Sequence, residues 1–169
     1  MTCFSEALGF HEDFLNEAHD VTKPDCLTQF RFLHYPACEN AVGTWRAGTH
    51  TDLGSLTLLF QRDEEDGLEV CPGRESHHSM AIGDEFTPVP AKSGAIVVNV
   101  GDMLSITFCF RSIRDSFTYW IIVAWSDDRF KANFHRVRAN DVGHSPDRYS
   151  IAYFNTPRAE LIMQGPLKK

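Results

Sequence analysis

A mainly β fold, a sandwich or barrel preceded by a short N-terminal helix, is what three features of this sequence predict. From Phe30 onward, runs of a few residues rich in Val, Ile, Phe, Tyr and Thr follow one another. Gly, Pro and acidic turns separate them, and helical spacing is confined to the first residues. With 169 residues, the chain is long enough for one domain with a real core and short for two.

Phe4, Leu8 and Leu15 recur at helical spacing among acids, so residues 1 to about 28 read as a helix followed by a loop. "TKPDC" breaks the pattern, and Gly9 weakens the helix. The strand candidates then come in order: "FRFLHY", "SLTLLFQ", "GLEVC", "AIVVNV", "ANFHRVR" and "YSIAYF". "QRDEEDG" and "PGRESHHSMAIGDEF" are polar loops, and Pro88 and Pro90 lead into "AIVVNV". No internal repeat or low-complexity tract is present.

Composition narrows the function. Lys plus Arg number 16 against 23 Asp plus Glu, and a net charge of -7 disfavours nucleic-acid phosphate or an anionic membrane as partner. A small molecule is the expected ligand. Five scattered cysteines, never spaced CxxC, suit a reducing compartment with idle thiols better than disulfides or a zinc knuckle. No signal peptide opens the chain, and the greasiest stretch, residues 106–125, carries Arg111, Arg114 and Asp115, which makes it a poor membrane span. The expectation is a soluble, cytoplasmic monomer.

"GTHTDLGSLTLLFQ" contains His50-Thr51-Asp52, and "HED" at His11 to Asp13 repeats the spacing, so the pattern alone decides nothing. Backbone geometry separates the two. Residues i and i+2 share a face of a strand but lie about 200° apart on a helix, which disfavours His11 and Asp13. His50 and Asp52 sit at the mouth of a strand, where a polar turn is still the simpler reading of spacing alone. A metal needs a third ligand, and of the remaining histidines only His34 and His135 lie in strand-like runs. In "ANFHRVR", His135 alternates with Asn133 and Val137 on one face. Two His and one carboxylate on barrel strands can form a facial triad, leaving three positions open on Fe(II) for a bidentate co-substrate and dioxygen. Arg148 and Ser150 share a face at the start of "YSIAYF", and a guanidinium fork with a hydroxyl can bind a distal carboxylate.

Taken together, "RFLHYP", "HTDLGSLTLLFQ", "GLEV", "VVNVGDML", "FKANFHRV" and "RYSIAYF" resemble, in the same order, the iron(II)/2-oxoglutarate-dependent dioxygenases of the isopenicillin N synthase-like branch. The resemblance covers about residues 5 to 157. It implies a double-stranded β-helix (jelly roll), with His50, Asp52 and His135 as Fe(II) ligands and Arg148 and Ser150 on the 2-oxoglutarate C5 carboxylate. Tyr35 matches a family tyrosine that also approaches the co-substrate. The implied reaction consumes 2-oxoglutarate and O2, releases succinate and CO2, and oxidises a small organic molecule by hydroxylation, desaturation or ring closure. Where many members have Asn two residues before the tyrosine, this chain has Leu33.

Two larger departures are evident. Members of the family are roughly twice as long, so residues 1–29 read as a remnant helix and linker of an N-terminal module. Residues 30–157 then form an incomplete oxygenase core, and 158–169 a truncated tail. The second is the stretch 105–124, "SITFCFRSIRDSFTYWIIVA", which stands where about two residues would do. An unspliced intron read in frame accounts for it, and a genuine insertion such as a lid or hairpin is the alternative. Looping it out costs on the order of 1–2 kcal/mol of closure entropy. The apolar "YWIIVAW" is the graver matter, and poor solubility is expected. A catalytically inactive fragment is therefore the competing functional reading, while a zinc hydrolase would leave Arg148 and Ser150 without a purpose.

Overall fold

The computed structural model describes residues 1–40, 43–71, 85–105, 126, 129–140 and 143–161. Residues 106–124 of the atypical stretch and 162–169 of the tail lie outside the described residues.

Two short helices replace the single helix expected at the start: α1 (Thr2–Leu8) and α2 (Phe14–Ala18). The break is at Gly9, whose φ of 79° is a left-handed helix end that glycine adopts without steric cost. Leu8, Leu15 and Ala18 are buried with Leu104, and Phe4, Phe10 and Phe14 pack around them. His11 and Asp13 lie in the turn between the helices, where the Asp13 backbone N–H donates to His11 Nδ1 at 3.4 Å, so they form a local turn contact.

The strands are β1 (Gln29–Tyr35), β2 (Cys38–Asn40), β3 (Trp45–His50), β4 (Leu56–Gln61), β5 (Leu68–Cys71), β6 (Thr87–Pro88), β7 (Val97–Val100), β8 (Phe134–Arg138), β9 (Gly143–Ser145) and β10 (Arg148–Asn155). They form two antiparallel four-stranded sheets, β1-β10-β4-β7 and β3-β8-β5-β6, with β2 and β9 paired apart. This is the jelly-roll arrangement, in which sequence-distant strands become neighbours. A short helix, α3 (Asp102–Ser105), follows β7 and is buried. Strand β3 was not among the sequence candidates because "WRAGTH" has neither the apolar alternation nor the β-branched content of its neighbours.

The sheets enclose a cavity of about 330 Å³ lined by the inward residues of both, among them Leu33, Leu59, Val70, Val97, Val137 and Ala152. Their outer faces differ. On β3-β8-β5-β6, the Arg136 guanidinium lies 4.0 Å from the Trp45 ring centre and 3.7 Å from that of Phe86, and its Nε donates to buried Glu69 at 2.7 Å. On the other sheet, Phe30, Phe32, Phe60 and Val98 are exposed. No described helix is long and apolar enough to cross a membrane.

Candidate active site

His50 is the last residue of β3 and faces His135 of β8 across the sheet. Register shifts between Trp45 and Ala47 and between Ala47 and His50 each put one extra residue on β3. Such bulges re-aim the strand's end, and here they turn the two imidazoles toward each other, with ring centres 4.3 Å apart. Asp52 is not itself on a strand; it lies just ahead of β4, at the mouth where the sequence placed it. It sits in the loop that leaves β3, and its Oδ1 lies 3.9 Å from His50 Nε2 and 3.6 Å from His135 Nε2. One ligand atom from each of the three lies within 4.8 Å of the others, a spacing that can hold a metal ion.

Hydrogen bonds orient all three. His50 Nδ1 donates to the Gly48 carbonyl at 2.8 Å and His135 Nδ1 to that of Asn133 at 3.1 Å, so both Nε2 atoms face the gap. Asp52 Oδ2 accepts from the Thr57 hydroxyl at 2.6 Å and the Asn99 amide at 2.8 Å, leaving Oδ1 to the gap. Burial pushes the Asp52 carboxyl up, but the hydrogen bond and charge of His135, with Thr57 and Asn99, outweigh it and hold it far below the usual carboxylate range. Burial likewise pulls His135 down, and the hydrogen bond and charge of Asp52 outweigh it, so its imidazole is raised. The carboxylate is ionised, and two imidazoles with one carboxylate make a donor set that suits a divalent first-row metal.

Backbone contacts fix the Asp52 loop. The Asp102 N–H donates to the Asp52 carbonyl at 2.7 Å, Met103 N–H to that of Gly54 at 3.1 Å and Gly101 N–H to that of Ser55 at 3.0 Å. A Cβ on Gly101 would stand 2.7 Å from the Asp52 carbonyl oxygen, so "GDML" needs its glycine for close approach. From the other side, His19 Nδ1 donates to the Leu15 carbonyl at 2.6 Å, which leaves Nε2 to accept from the Ser55 hydroxyl at 2.8 Å. Burial of His19 lowers its pKa to about 4.

Arg148 and Ser150 line the same cavity, as do Tyr35 and Leu33. Both β10 residues are buried, at 2% and 4% exposure. Arg148 Nη2 donates to Gln61 Oε1 at 2.8 Å and its Nε to the Glu65 carbonyl at 3.2 Å, while its guanidinium carbon lies 5.0 Å from the Tyr35 ring centre. The Ser150 hydroxyl is buried without a hydrogen-bond partner among the described residues. An orphaned hydroxyl beside a desolvated guanidinium, both at a cavity wall, fits a carboxylate-bearing ligand.

The remaining histidine candidate, His34, is in β1 as expected but faces outward, where Nε2 pairs with Asp147 Oδ1 at 2.6 Å and the ring stacks on Tyr149. Thr57, Asn99, Gln61, Gly101 and His19 were not singled out from sequence. Asn99 and Thr57 had a signal, as polar residues at inward positions of apolar strands.

The family model of the 2OG-Fe(II) oxygenase superfamily matches residues 24–157. A proline hydroxylase, buaE, of Petromyces alliaceus is 36% identical over 144 residues, 81% of this chain and 37% of the relative. A crystal structure of a full-length Neurospora crassa protein in complex with alpha-KG superposes with a TM-score of 0.69 at 29% identity, covering 99% of this chain and 44% of that one. The 2-oxoglutarate complex of the dioxygenase for auxin oxidation 1 from Arabidopsis thaliana gives 0.66 at 25% identity, over 96% and 47%. The chain thus spans less than half the length of each of these relatives.

Proposed function

The chain belongs to the 2OG-Fe(II) oxygenase superfamily, and from that premise we propose that it is the core of an Fe(II)- and 2-oxoglutarate-dependent oxygenase of a small organic molecule. His50, Asp52 and His135 hold the iron, and Arg148, Ser150 and Tyr35 hold the distal carboxylate of the co-substrate. One observation carries this reading: a single cavity is lined both by the three convergent ligand atoms and by a buried cation with an orphaned hydroxyl. Fe(II), when bound, couples decarboxylation of 2-oxoglutarate to succinate and CO2 with O2-driven oxidation of a substrate C–H bond.

The chain's own residues bind, orient and exclude. Backbone carbonyls orient both imidazoles with Nε2 toward the gap, and His135, Thr57 and Asn99 keep Asp52 ionised. Aliphatic walls from Leu59, Val70, Val97 and Val137 lower the polarity of the cavity and so strengthen the attraction of Arg148 for a carboxylate. Hydroxylation is the outcome best supported, since the relative from Petromyces alliaceus is named a hydroxylase. Desaturation and ring closure use the same residues.

The test is to add Fe(II) and 2-oxoglutarate to the protein without oxygen and look for the visible charge-transfer band of chelated co-substrate. The band is expected from the native chain and lost in His135→Ala. Its absence from folded native protein would sink the proposal and favour an inactive chain.

A further inference from the structure

We propose that Gln61 is a positioning residue that aims the Arg148 guanidinium and thereby sets selectivity for a 2-oxo acid carrying a second carboxylate. The inference rests on the reading of Arg148 as the co-substrate anchor and assigns a role to a residue outside the cavity wall.

Gln61 ends β4 and pairs directly with Ser150 of β10, which in turn pairs with Leu33 of β1. From there its Oε1 accepts from Arg148 Nη2 at 2.8 Å, while the Glu65 carbonyl accepts from Nε at 3.2 Å. Nε and Nη2 share one edge of the planar guanidinium, so these two acceptors take up that edge and fix the plane. Neither of these acceptors uses the end of the fork, Nη1 with the second N–H of Nη2, and both Arg148 and Tyr35 line the cavity, with the guanidinium carbon 5.0 Å from the Tyr35 ring centre. A bidentate carboxylate contact demands this kind of fixed fork.

The acceptor is also neutral. The carboxylate of Glu65 is engaged elsewhere, accepting from the Tyr149 N–H at 2.5 Å and facing Arg62 Nη1 at 3.3 Å. Arg46, whose guanidinium carbon lies 5.6 Å from the Tyr35 ring centre, spends donors on the carbonyls of Tyr35, Pro36 and Pro146. Arg148 is thus oriented by two neutral acceptors, and the Glu65 carboxylate acts on it through charge at longer range. An apolar residue at position 61 would release the fork. An acid there would orient it but cancel its charge.

Calorimetric titration of the anaerobic Fe(II)-loaded protein with 2-oxoglutarate and with pyruvate, which has the chelating head but no distal carboxylate, tests this. In Gln61→Met the affinity for 2-oxoglutarate is expected to fall about tenfold with pyruvate unchanged. Gln61→Glu is expected to lose more than Gln61→Met on 2-oxoglutarate alone. Equal loss of both acids in Gln61→Met, or no loss of either, overturns the proposal, as does native 2-oxoglutarate affinity in Gln61→Glu. Arg148→Ala separates the two levels. If it leaves 2-oxoglutarate binding intact, the anchor reading itself falls; if it weakens 2-oxoglutarate while Gln61→Met does not, only the role of Gln61 falls.

Discussion

The two ends of the cavity are built by different means. Arg148 and Ser150 stand on β10, which pairs with β1 at both positions and with β4 from Ser150 onward, so strand alternation turns both side chains inward. Asp52 stands on a loop with no strand partner. Its position is set by contacts from Thr57, Asn99, Gly101, Asp102 and, through Ser55, from His19. A group on a doubly paired strand inherits its direction from the sheet. A group on a loop has to be held by residues brought from elsewhere in the chain, and it should fail when any of them changes.

The sharpest way to break that contrast is Gly101→Ala. The new Cβ would stand 2.7 Å from the Asp52 carbonyl oxygen and against that of Gly54, and backbone atoms cannot swing aside. A stability loss of about 3 kcal/mol is expected from such overpacking. Metal affinity should fall more than about a hundredfold through the displaced carboxylate. Thermal unfolding and a Mn(II) titration by electron paramagnetic resonance would measure both. Native metal affinity in this variant would mean that Asp52 does not depend on the bracket around it.

The tether from the N-terminal helices gives the next largest effect, and it depends on pH. His19 is neutral in the fold, with a pKa of about 4 against 6.5 when unfolded. Between those values the unfolded chain binds the extra proton, so stability is fully present above pH 6.5 and falls as the pH drops toward 4. The shift corresponds to roughly 3 kcal/mol over that window. His135 works in the opposite sense in metal-free protein, since Asp52 raises its pKa. Urea unfolding of metal-free native chain and His19→Gln, compared from pH 7 to pH 4, isolates the tether. A slope common to both proteins would remove His19 from the account.

The same contrast explains what the sequence made legible. Alternation in "ANFHRVR" and "RYSIAYF" was enough to put His135, Arg148 and Ser150 on inward faces, because period-2 geometry acts locally. His50 and Asp52 were assigned by the resemblance, since their spacing alone favoured a polar turn, and the bulged β3 that delivers His50 was invisible, since bulges follow from pairing with β8 rather than from composition. The supports of Asp52 come from positions 19, 57, 99 and 101, which only the folded topology brings together. Gly9 was legible as a weak point in a helix, and the structure makes it the end of one.

Asn99→Leu tests the loop end more gently. It removes one of the two side-chain donors to Asp52 Oδ2 while keeping an inward side chain of similar size. A loss of about 10- to 100-fold in metal affinity is expected, with 2-oxoglutarate affinity at saturating metal little changed. Equal loss at both ends would show that the two are coupled through the cavity wall.

Ser150→Ala is the smallest change and tests the strand end. A buried hydroxyl without a partner gives the fold nothing, so its removal should leave the melting temperature unchanged or slightly higher. With a carboxylate present the same hydroxyl has an acceptor, and deleting it should cost about 1 kcal/mol of 2-oxoglutarate binding, roughly fivefold. Metal affinity should not move, because the hydroxyl makes no contact with the three ligands. Stability and ligand affinity then change independently at one atom, which is what a residue placed by its strand and kept for a ligand should show. A marked drop in melting temperature with unchanged 2-oxoglutarate affinity would assign Ser150 to the fold instead, and would leave Arg148 with Tyr35 as the whole of the anchor.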